Sequence, residues 1–304
     1  MRKIIVLSLL LFSLSSAAQY ANDFGIHLGV ANYLGEIGGK EGPRRNFVSD
    51  IKLNKTQFAL GGFARHRTMF PFLYAKVGLN WLRLEGADRY SKNPGRVGRN
   101  LSFRNDIIEA DVQAQIFFYD IQDLGHTYKY QNDFKMYAFF GAGCFYSNPK
   151  AYYNSKWVAL QPLQTEGKKY GRINASIPLG LGLCFTLNKR HRIGWEFEWR
   201  TTFTDYIDDI STEYADPADL SGPTAIALAN RRGELGGGDQ PGIPDPKNYL
   251  PGSKRGDPTH NDSYLSTSVY YSYVMRGKSN FYKAKFGSIF KRKGSKKRKI
   301  RAKF

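Results

Sequence analysis

The sequence predicts an all-β fold: an eight-stranded antiparallel transmembrane β-barrel with long extracellular loops and a basic C-terminal tail. Three observations predict it: an N-terminal export signal, eight segments in which apolar and polar residues alternate, and connectors that alternate between short and long. The mean hydropathy of the 304 residues is −0.48, and no apolar run after residue 18 is long enough for a membrane-spanning helix. Aromatic residues make up 15% of the chain, which argues against a disordered protein.

Residues 1–18 contain the three parts of a secretory signal peptide in the expected order. Arg2 and Lys3 supply positive charge, residues 4–14 form a short apolar run, and residues 16–18 are small. We therefore expect cleavage before Gln19 and export of the mature chain. The predicted organisation is a signal peptide (1–18), a barrel (19–275) and a basic periplasmic tail (276–304).

Eight segments alternate with the period of two that is typical of strands with unlike faces. They are residues 22–35, 56–67, 72–85, 104–120, 134–147, 173–187, 192–203 and 263–275. Their polar faces carry His27, Arg65, Lys76, Asn80, Glu109, Asp111, Gln113, Gln115, Glu196, Glu198 and Arg200. Because lipid satisfies no backbone hydrogen bonds, exported strands with an apolar outer face are expected to close into a barrel. A soluble two-sheet sandwich has the same alternation, but the long strands, the connector lengths and the Trp and Tyr residues near strand ends favour the barrel.

The connector lengths predict the orientation. Residues 68–71 and 188–191 are short and residues 121–133 somewhat longer, whereas residues 36–55, 86–103, 148–172 and 204–262 are long. Outer-membrane barrels have short turns in the periplasm and long loops outside. Both the N-terminal and the C-terminal ends of the barrel are therefore expected in the periplasm.

The polar faces predict a plugged lumen rather than a pore, since side chains can fill an eight-stranded barrel. The acids Glu109, Asp111, Glu196 and Glu198 are expected to pair with Arg65, Lys76 and Arg200. A small channel or a catalytic pair of carboxylates is the alternative.

Candidate chemistry is sparse. The five histidines, at positions 27, 66, 126, 191 and 260, lie on different strands and connectors without metal-ligand spacing, and no Ser lies in a nucleophile-elbow motif. We predict no catalytic, cofactor or metal residues. Cys144 and Cys184 fall on adjacent strands at opposite ends, too far apart for a disulfide.

An acidic segment, residues 205–219, follows the seventh strand. We interpret it as a solvated loop that pairs partly with Arg231, Arg232 or Arg255, with binding of a hard cation as the alternative. The Gly- and Pro-rich residues 218–258 are predicted to be mobile.

Several segments resemble those of small outer-membrane barrels from Bacteroidetes-type bacteria. They are residues 29–36 (GVANYLGE), 104–106 and 117–120 (RND, FFYD), 140–143 and 148–151 (FGAG, NPKA), 157–163 and 165–167 (WVALQPL, TEG), and 204–211 (TDYIDDIS). In this order, over residues 24–275, they are similar to the PorG family of type IX (Por and gliding) secretion systems. The resemblance implies a barrel of the small, OmpA-like size without enzymatic activity. It also implies association with a periplasmic ring of a lipoprotein and its soluble partner.

The tail carries most of the net charge of +19: residues 276–304 contain 13 Lys and Arg and no acid. An exported chain meets little nucleic acid, so we predict an acidic protein surface as its partner. The candidate partner-binding residues are Lys291, Arg292, Lys293, Lys296, Lys297, Arg298, Lys299 and Arg301. The alternative is a solvated tail that touches anionic lipid headgroups.

The leading functional hypothesis is therefore an outer-membrane scaffold for type IX secretion, embedded in outer-membrane lipid, with no prediction of oligomeric state. The second is a general adhesive or structural barrel that binds through its loops. The third is a barrel enzyme acting on lipid A or protein, for which the sequence assembles no catalytic set.

Overall fold

Eight long strands form a barrel in the computed structural model, which describes residues 22–37, 53–121, 132–236 and 244–275. The predicted signal peptide and tail lie outside these residues. The strands are β1 (Asn22–Leu34), β2 (Gln57–Arg67), β3 (Leu73–Ala87), β4 (Ser102–Ile121), β5 (Asp133–Tyr146), β6 (Lys150–Tyr153), β7 (Lys156–Ala159), β8 (Ile173–Leu187), β9 (His191–Thr202) and β10 (Ser263–Met275). The short strands β6 and β7 form a hairpin beside β4.

The eight long strands pair antiparallel in a closed ring. Each pairs with the next long strand along the chain, and β1 pairs with β10 from Asn22↔Met275 to Leu34↔Ser263. Closure satisfies the backbone groups that an open sheet would leave at its edges. The predicted eight-stranded antiparallel barrel is confirmed, and every predicted strand end lies within two residues of the observed one.

The barrel has an apolar outer face and a polar interior. Phe24, Ile26 and Leu28 of β1 point outwards, with 53% to 69% of each side chain exposed, and the other long strands continue this apolar surface. The polar side chains of the intervening positions are mostly buried inside. A soluble sandwich buries its apolar face instead, so this inversion excludes the sandwich and indicates a barrel in lipid.

The two ends of the barrel differ. Residues 68–72 and 188–190 make short turns at one end, where Asn22 and Met275 also lie. Asn188 and Lys189 both have positive φ (52° and 57°), as the two central residues of a tight hairpin turn require. The described parts of the four long connectors lie at the opposite end, which we call the loop end. Residues 122–131, the somewhat longer predicted turn, are outside the described part of the chain.

The long connectors contain secondary structure that the sequence pattern does not predict. Besides the β6–β7 hairpin, the described parts of these connectors contain two α-helices, α1 (Pro94–Arg99) and α2 (Pro223–Ala229). Short 3₁₀ helices span Leu53–Lys55, Asp88–Tyr90, Gln161–Leu163, Pro217–Asp219, Arg232–Leu235 and Pro246–Tyr249. Among the described residues, no helix is both long and apolar enough to span a membrane.

Candidate functional site

The lumen is filled by two layers of buried charge, which we call the lumen network. Near the turn end, Arg65 of β2 makes a salt bridge to Asp23 of β1 (Nη2 to Oδ2, 2.8 Å). Arg192 of β9 reaches the same carboxylate (Nη1 to Oδ2, 2.6 Å). Asp23 and Arg192 were not among the predicted lumen residues, and the predicted pairing of Arg65 with the acids of the fourth and seventh strands is wrong. Arg65 lies nearer to Asp23, directly opposite it in the β1–β2 register.

The second layer lies further towards the loop end and contains the predicted acids. Lys76 Nζ lies 2.7 Å from Glu196 Oε2, and the hydroxyl of Tyr137 donates to the other oxygen of Glu196. Arg200 makes salt bridges to Glu109 and Glu198, 2.5 Å and 2.7 Å long. The predicted pairing of Lys76 and Arg200 with these acids is confirmed for Glu109, Glu196 and Glu198. The fourth predicted acid, Asp111, accepts a hydrogen bond from the Asn80 side chain instead.

Glycines on the inner face make room for these side chains. Gly182 of β8 lies against the ring of Tyr137, and a Cβ at this position would overlap the ring carbons. All seven predicted charged lumen residues are buried, together with Tyr137, Tyr264 and Tyr270. The described side chains therefore fill the barrel, as expected for eight strands.

The loop end is closed by residues 204–211, a segment that we call the mouth cap. Its side chains Ile207 and Ile210 are 0% exposed. They pack in an apolar cluster with strand residues that include Tyr33, Phe103 and Phe145. Burial of two isoleucines stabilises the cap by about 3–6 kcal/mol relative to an exposed loop.

Buried polar contacts fix the mouth cap to the strands. The Tyr33 hydroxyl lies 2.7 Å from Asp208 Oδ2 and 2.6 Å from Asp262 Oδ1. Asp262 also accepts a hydrogen bond from the Ile207 amide (3.0 Å), and the Asn105 side-chain amide donates to the Ile207 carbonyl (2.8 Å). The cap thus joins β1, β4 and the end of the last long connector.

The neighbouring Asp209 is held by the connector between β5 and β8. The hydroxyls of Thr165 and Tyr170 donate to its two carboxylate oxygens. Burial raises the pKa of Asp209 to about 6, although the Arg255 guanidinium and the two hydroxyl hydrogen bonds oppose the shift. This group therefore changes its protonation within the mildly acidic range.

Two buried arginines join the long connectors to each other. Arg255 donates to Glu166 Oε1 (2.9 Å) and to the carbonyl of Asp209 (2.7 Å). Arg99 forms a two-pronged salt bridge with Asp88 and also donates to the carbonyls of Glu36 and Arg255. All four long connectors are therefore linked by charge-assisted hydrogen bonds, which are stronger than neutral ones.

The structure corrects the interpretation of residues 205–219 as a solvated loop. Asp205, Asp208 and Asp209 are buried, whereas Glu213, Asp216 and Asp219 are exposed as predicted. The expected contact with Arg255 is present (Nη2 to Asp209 Oδ2, 3.9 Å), but Arg231 pairs with Glu234 instead. No group of three His, Cys, Asp or Glu side chains within the described ranges could hold a metal ion.

The cysteines lie where the sequence placed them. Cys144 pairs in register with Ala175, while Cys184 pairs with Lys135, which precedes Cys144 by nine residues on β5. That separation corresponds to about 30 Å along a strand, and both cysteines are free thiols. The eight candidate partner-binding residues of the tail lie outside the described residues.

Most of the five sequence segments that resemble small outer-membrane barrels lie at the mouth. Four of the five segments supply Tyr33, Asn105, Glu166 and the cap itself, and each of these three residues contacts the cap at the loop end. A family model, described as a domain of unknown function (DUF6089), matches residues 2–220. The chain belongs to the DUF6089 family. The four converging segments lie within the matched range, so the matched part of this DUF6089 member includes the mouth cap.

No curated protein matches the sequence of this DUF6089 member. Among solved structures it is similar to the N-terminal β-barrel domain of Pseudomonas aeruginosa OprF (7% identity, 84% of this chain and 99% of that chain, TM-score 0.34). It is also similar to OprG of the same organism (10%, 86% and 99%, TM-score 0.36). A third is Ail, the attachment invasion locus protein of Yersinia pestis, solved with the heparin analogue sucrose octasulfate (11%, 84% and 98%, TM-score 0.34).

The closed ring of strands, the apolar outer face and the polar lumen are the properties of a membrane barrel. This DUF6089 protein is an integral outer-membrane β-barrel.

Proposed function

We propose that this protein is an outer-membrane component of the type IX secretion system that anchors or scaffolds the periplasmic ring complex. The observation that carries the proposal is the convergence of four PorG-like segments on the mouth cap. A barrel with a filled lumen and a closed mouth is suited to be a membrane anchor rather than a conduit. The proposal includes no catalytic step.

The proposed orientation has the long connectors outside and the turn end in the periplasm. It rests on the usual arrangement of outer-membrane barrels, with short turns inside. Because β10 ends at Met275 on the turn end, the basic tail then begins at the periplasmic face. Its Lys and Arg residues would meet an acidic surface of the ring lipoprotein or its soluble partner there, and this attraction would weaken with salt.

A pull-down from detergent-solubilised outer membranes tests this proposal. The full chain is compared with a variant in which the eight basic residues between positions 291 and 301 are replaced by Gln. A matched control replaces Lys168 and Lys169, which are exposed at the loop end, by Gln. We expect the full chain and the control to bring down the ring lipoprotein at low salt, and the tail variant to lose it.

Two outcomes contradict parts of the proposal. If the tail variant still brings down the lipoprotein, the scaffold role stands, but the tail is excluded as the segment that binds the ring. Failure of all three proteins at low salt, together with normal export of type IX substrates in a deletion strain, would exclude the secretion role.

A second candidate function is a structural or adhesive barrel that binds through its loops. The observation in its favour is the linkage of all four long connectors by Arg99 and Arg255, which gives the loop end a fixed surface. Loss of surface attachment or envelope integrity on deletion, with secretion intact, would favour this function over the first.

A further inference from the structure

The outer face of the barrel changes from apolar to charged near the loop end of β3 and β4. Outward-facing Val77, Leu79 and Trp81 are followed by Arg83 and Glu85. Both charged residues pair directly across to β4: Arg83 with Asp106 and Glu85 with Arg104, each at 2.7 Å. The Trp81 indole therefore lies next to a row of ion pairs. In membrane barrels this arrangement is found at the boundary between the hydrocarbon core of the bilayer and the lipid headgroups.

A cleft of about 550 Å³ lies directly above this boundary. Four cationic side chains line it, Lys55, Arg89, Arg104 and Arg231, against two carboxylates, those of Glu85 and Glu234. The formal charge of the lining is therefore +2. Arg89 lies over the ring of Tyr90 (4.7 Å) and makes no ion pair with a described carboxylate.

Two aromatic side chains from the β6–β7 hairpin form one wall of the cleft. Trp157 is 43% exposed and Tyr152 is 50% exposed, and their rings meet edge to face at 5.4 Å. The Arg104 guanidinium lies 4.1 Å from the centre of the Trp157 ring, which holds the indole beside the cation. Exposed rings of this kind offer an apolar face with a polar edge.

We propose that this cleft binds the phosphorylated sugar headgroup of a glycolipid in the outer leaflet. Its position argues for a lipid, since acyl chains below the cleft would lie along Val77, Leu79 and Trp81. Its charge argues for an anion, and Arg89 and Arg104 can donate paired hydrogen bonds to phosphate oxygens. The rings of Trp157 and Tyr152 would pack against the apolar faces of sugar rings, and the two carboxylates would accept hydrogen bonds from sugar hydroxyls.

The inference depends on the proposed orientation, with the loop end outside, and is independent of the secretion role. A reversed barrel would present the same cleft to the glycerophospholipids of the inner leaflet. The choice of probe lipids can therefore separate the two orientations.

Native mass spectrometry of the full chain in detergent tests the proposal. The protein is titrated with diphosphorylated lipid A and, separately, with phosphatidylglycerol. We expect lipid A to bind at least about tenfold more tightly, because the cleft contacts both phosphate and sugar. The double variant Arg89→Gln/Trp157→Ala should bind lipid A roughly 10- to 100-fold more weakly, the range expected for loss of a charge-assisted hydrogen bond.

Two variants control for folding and for general charge effects. Arg190→Gln removes an exposed cation at the turn end and should bind lipid A as the unchanged protein does. Folding of each variant is judged by its heat-dependent migration on gels. If the double variant does not fold, the single variant Arg231→Gln, a milder change at the cleft, takes its place. Equal binding of phosphatidylglycerol and lipid A overturns the proposal, and so does a lipid A affinity that none of the cleft variants changes.

Discussion

The Tyr33 hydroxyl on β1 lies 2.7 Å from Asp208 Oδ2 in the mouth cap, although the two residues are 175 positions apart in sequence. Tyr33→Phe removes this donor and leaves buried carboxylate oxygens less well satisfied. We expect the free energy of unfolding to fall by about 1–3 kcal/mol. Urea titration in detergent, followed by tryptophan fluorescence, measures the change.

The control for this variant is Tyr152→Phe, which alters an exposed ring and should change stability by less than about 0.5 kcal/mol. If Tyr33→Phe were as stable as this control, the hydroxyl would not hold the cap in place.

A second prediction concerns the lumen network. Lys76→Met leaves Glu196 as a buried charge without its cation, and we expect a loss of about 3–5 kcal/mol. Lys135→Met breaks the more exposed pair with Asp120 and should cost at most about 1 kcal/mol. Equal losses in the same urea titration would contradict the burial of the Lys76–Glu196 pair.

A third prediction concerns the pH dependence of the cap. Burial places the pKa of Asp209 at about 6 in the folded protein, above the 3.8 of an ordinary aspartate. Between these values the folded chain binds more protons than the unfolded chain, so the free energy of unfolding falls as pH rises from about 4 to 6. The fall is at most about 3 kcal/mol for a shift of this size.

Asp209→Asn removes the titrating group and should flatten this part of the pH profile. The difference in unfolding free energy between the unchanged protein and the variant, measured at intervals from pH 4 to pH 7, isolates the contribution of Asp209. A constant difference over that range would show that Asp209 does not titrate there.

A fourth prediction concerns ion passage. Because buried side chains fill the lumen and the mouth cap covers the loop end, we expect no steady conductance when the full chain is inserted in planar bilayers. A porin inserted in the same bilayers serves as the positive control. Stable, ion-selective conductance steps from the purified barrel would contradict the filled lumen.

A fifth prediction concerns the packing of small residues inside the barrel. Gly182→Ala adds a methyl group that overlaps the ring of Tyr137, so we expect a loss of about 1–3 kcal/mol. Gly233→Ala adds the same group where no atom lies within 4 Å and serves as the matched control. A Gly182→Ala protein as stable as that control would mean that the Tyr137 ring moves without cost.

The barrel could be predicted from the sequence because its signal is local. Alternation along each strand locates the strand, and every predicted end lies within two residues of the observed one. The inward positions of Lys76, Glu196 and Arg200 follow from the same alternation. The alternation does not identify partners across the lumen, which is why Arg65 was assigned to the wrong acids.

The mouth cap could not be predicted because its contacts join distant parts of the chain. Tyr33 meets Asp262 across 229 positions, and Arg99 meets the carbonyl of Arg255 across 156. A run containing Asp205, Asp208 and Asp209 in a Gly- and Pro-rich connector is typical of a solvated loop. Only the hydroxyls, amides and arginine that surround these carboxylates make their burial possible, and no local pattern indicates them.

The pairing of β1 with β10 over 13 residue pairs determines when the barrel can be completed. The free edge of β1 stays unpaired until β10, which begins more than 200 residues later in the chain, is in place. Contacts of such high sequence separation form slowly. During this interval β1 presents unpaired N–H and C=O groups, which makes the growing chain prone to aggregation and dependent on protection until the ring closes.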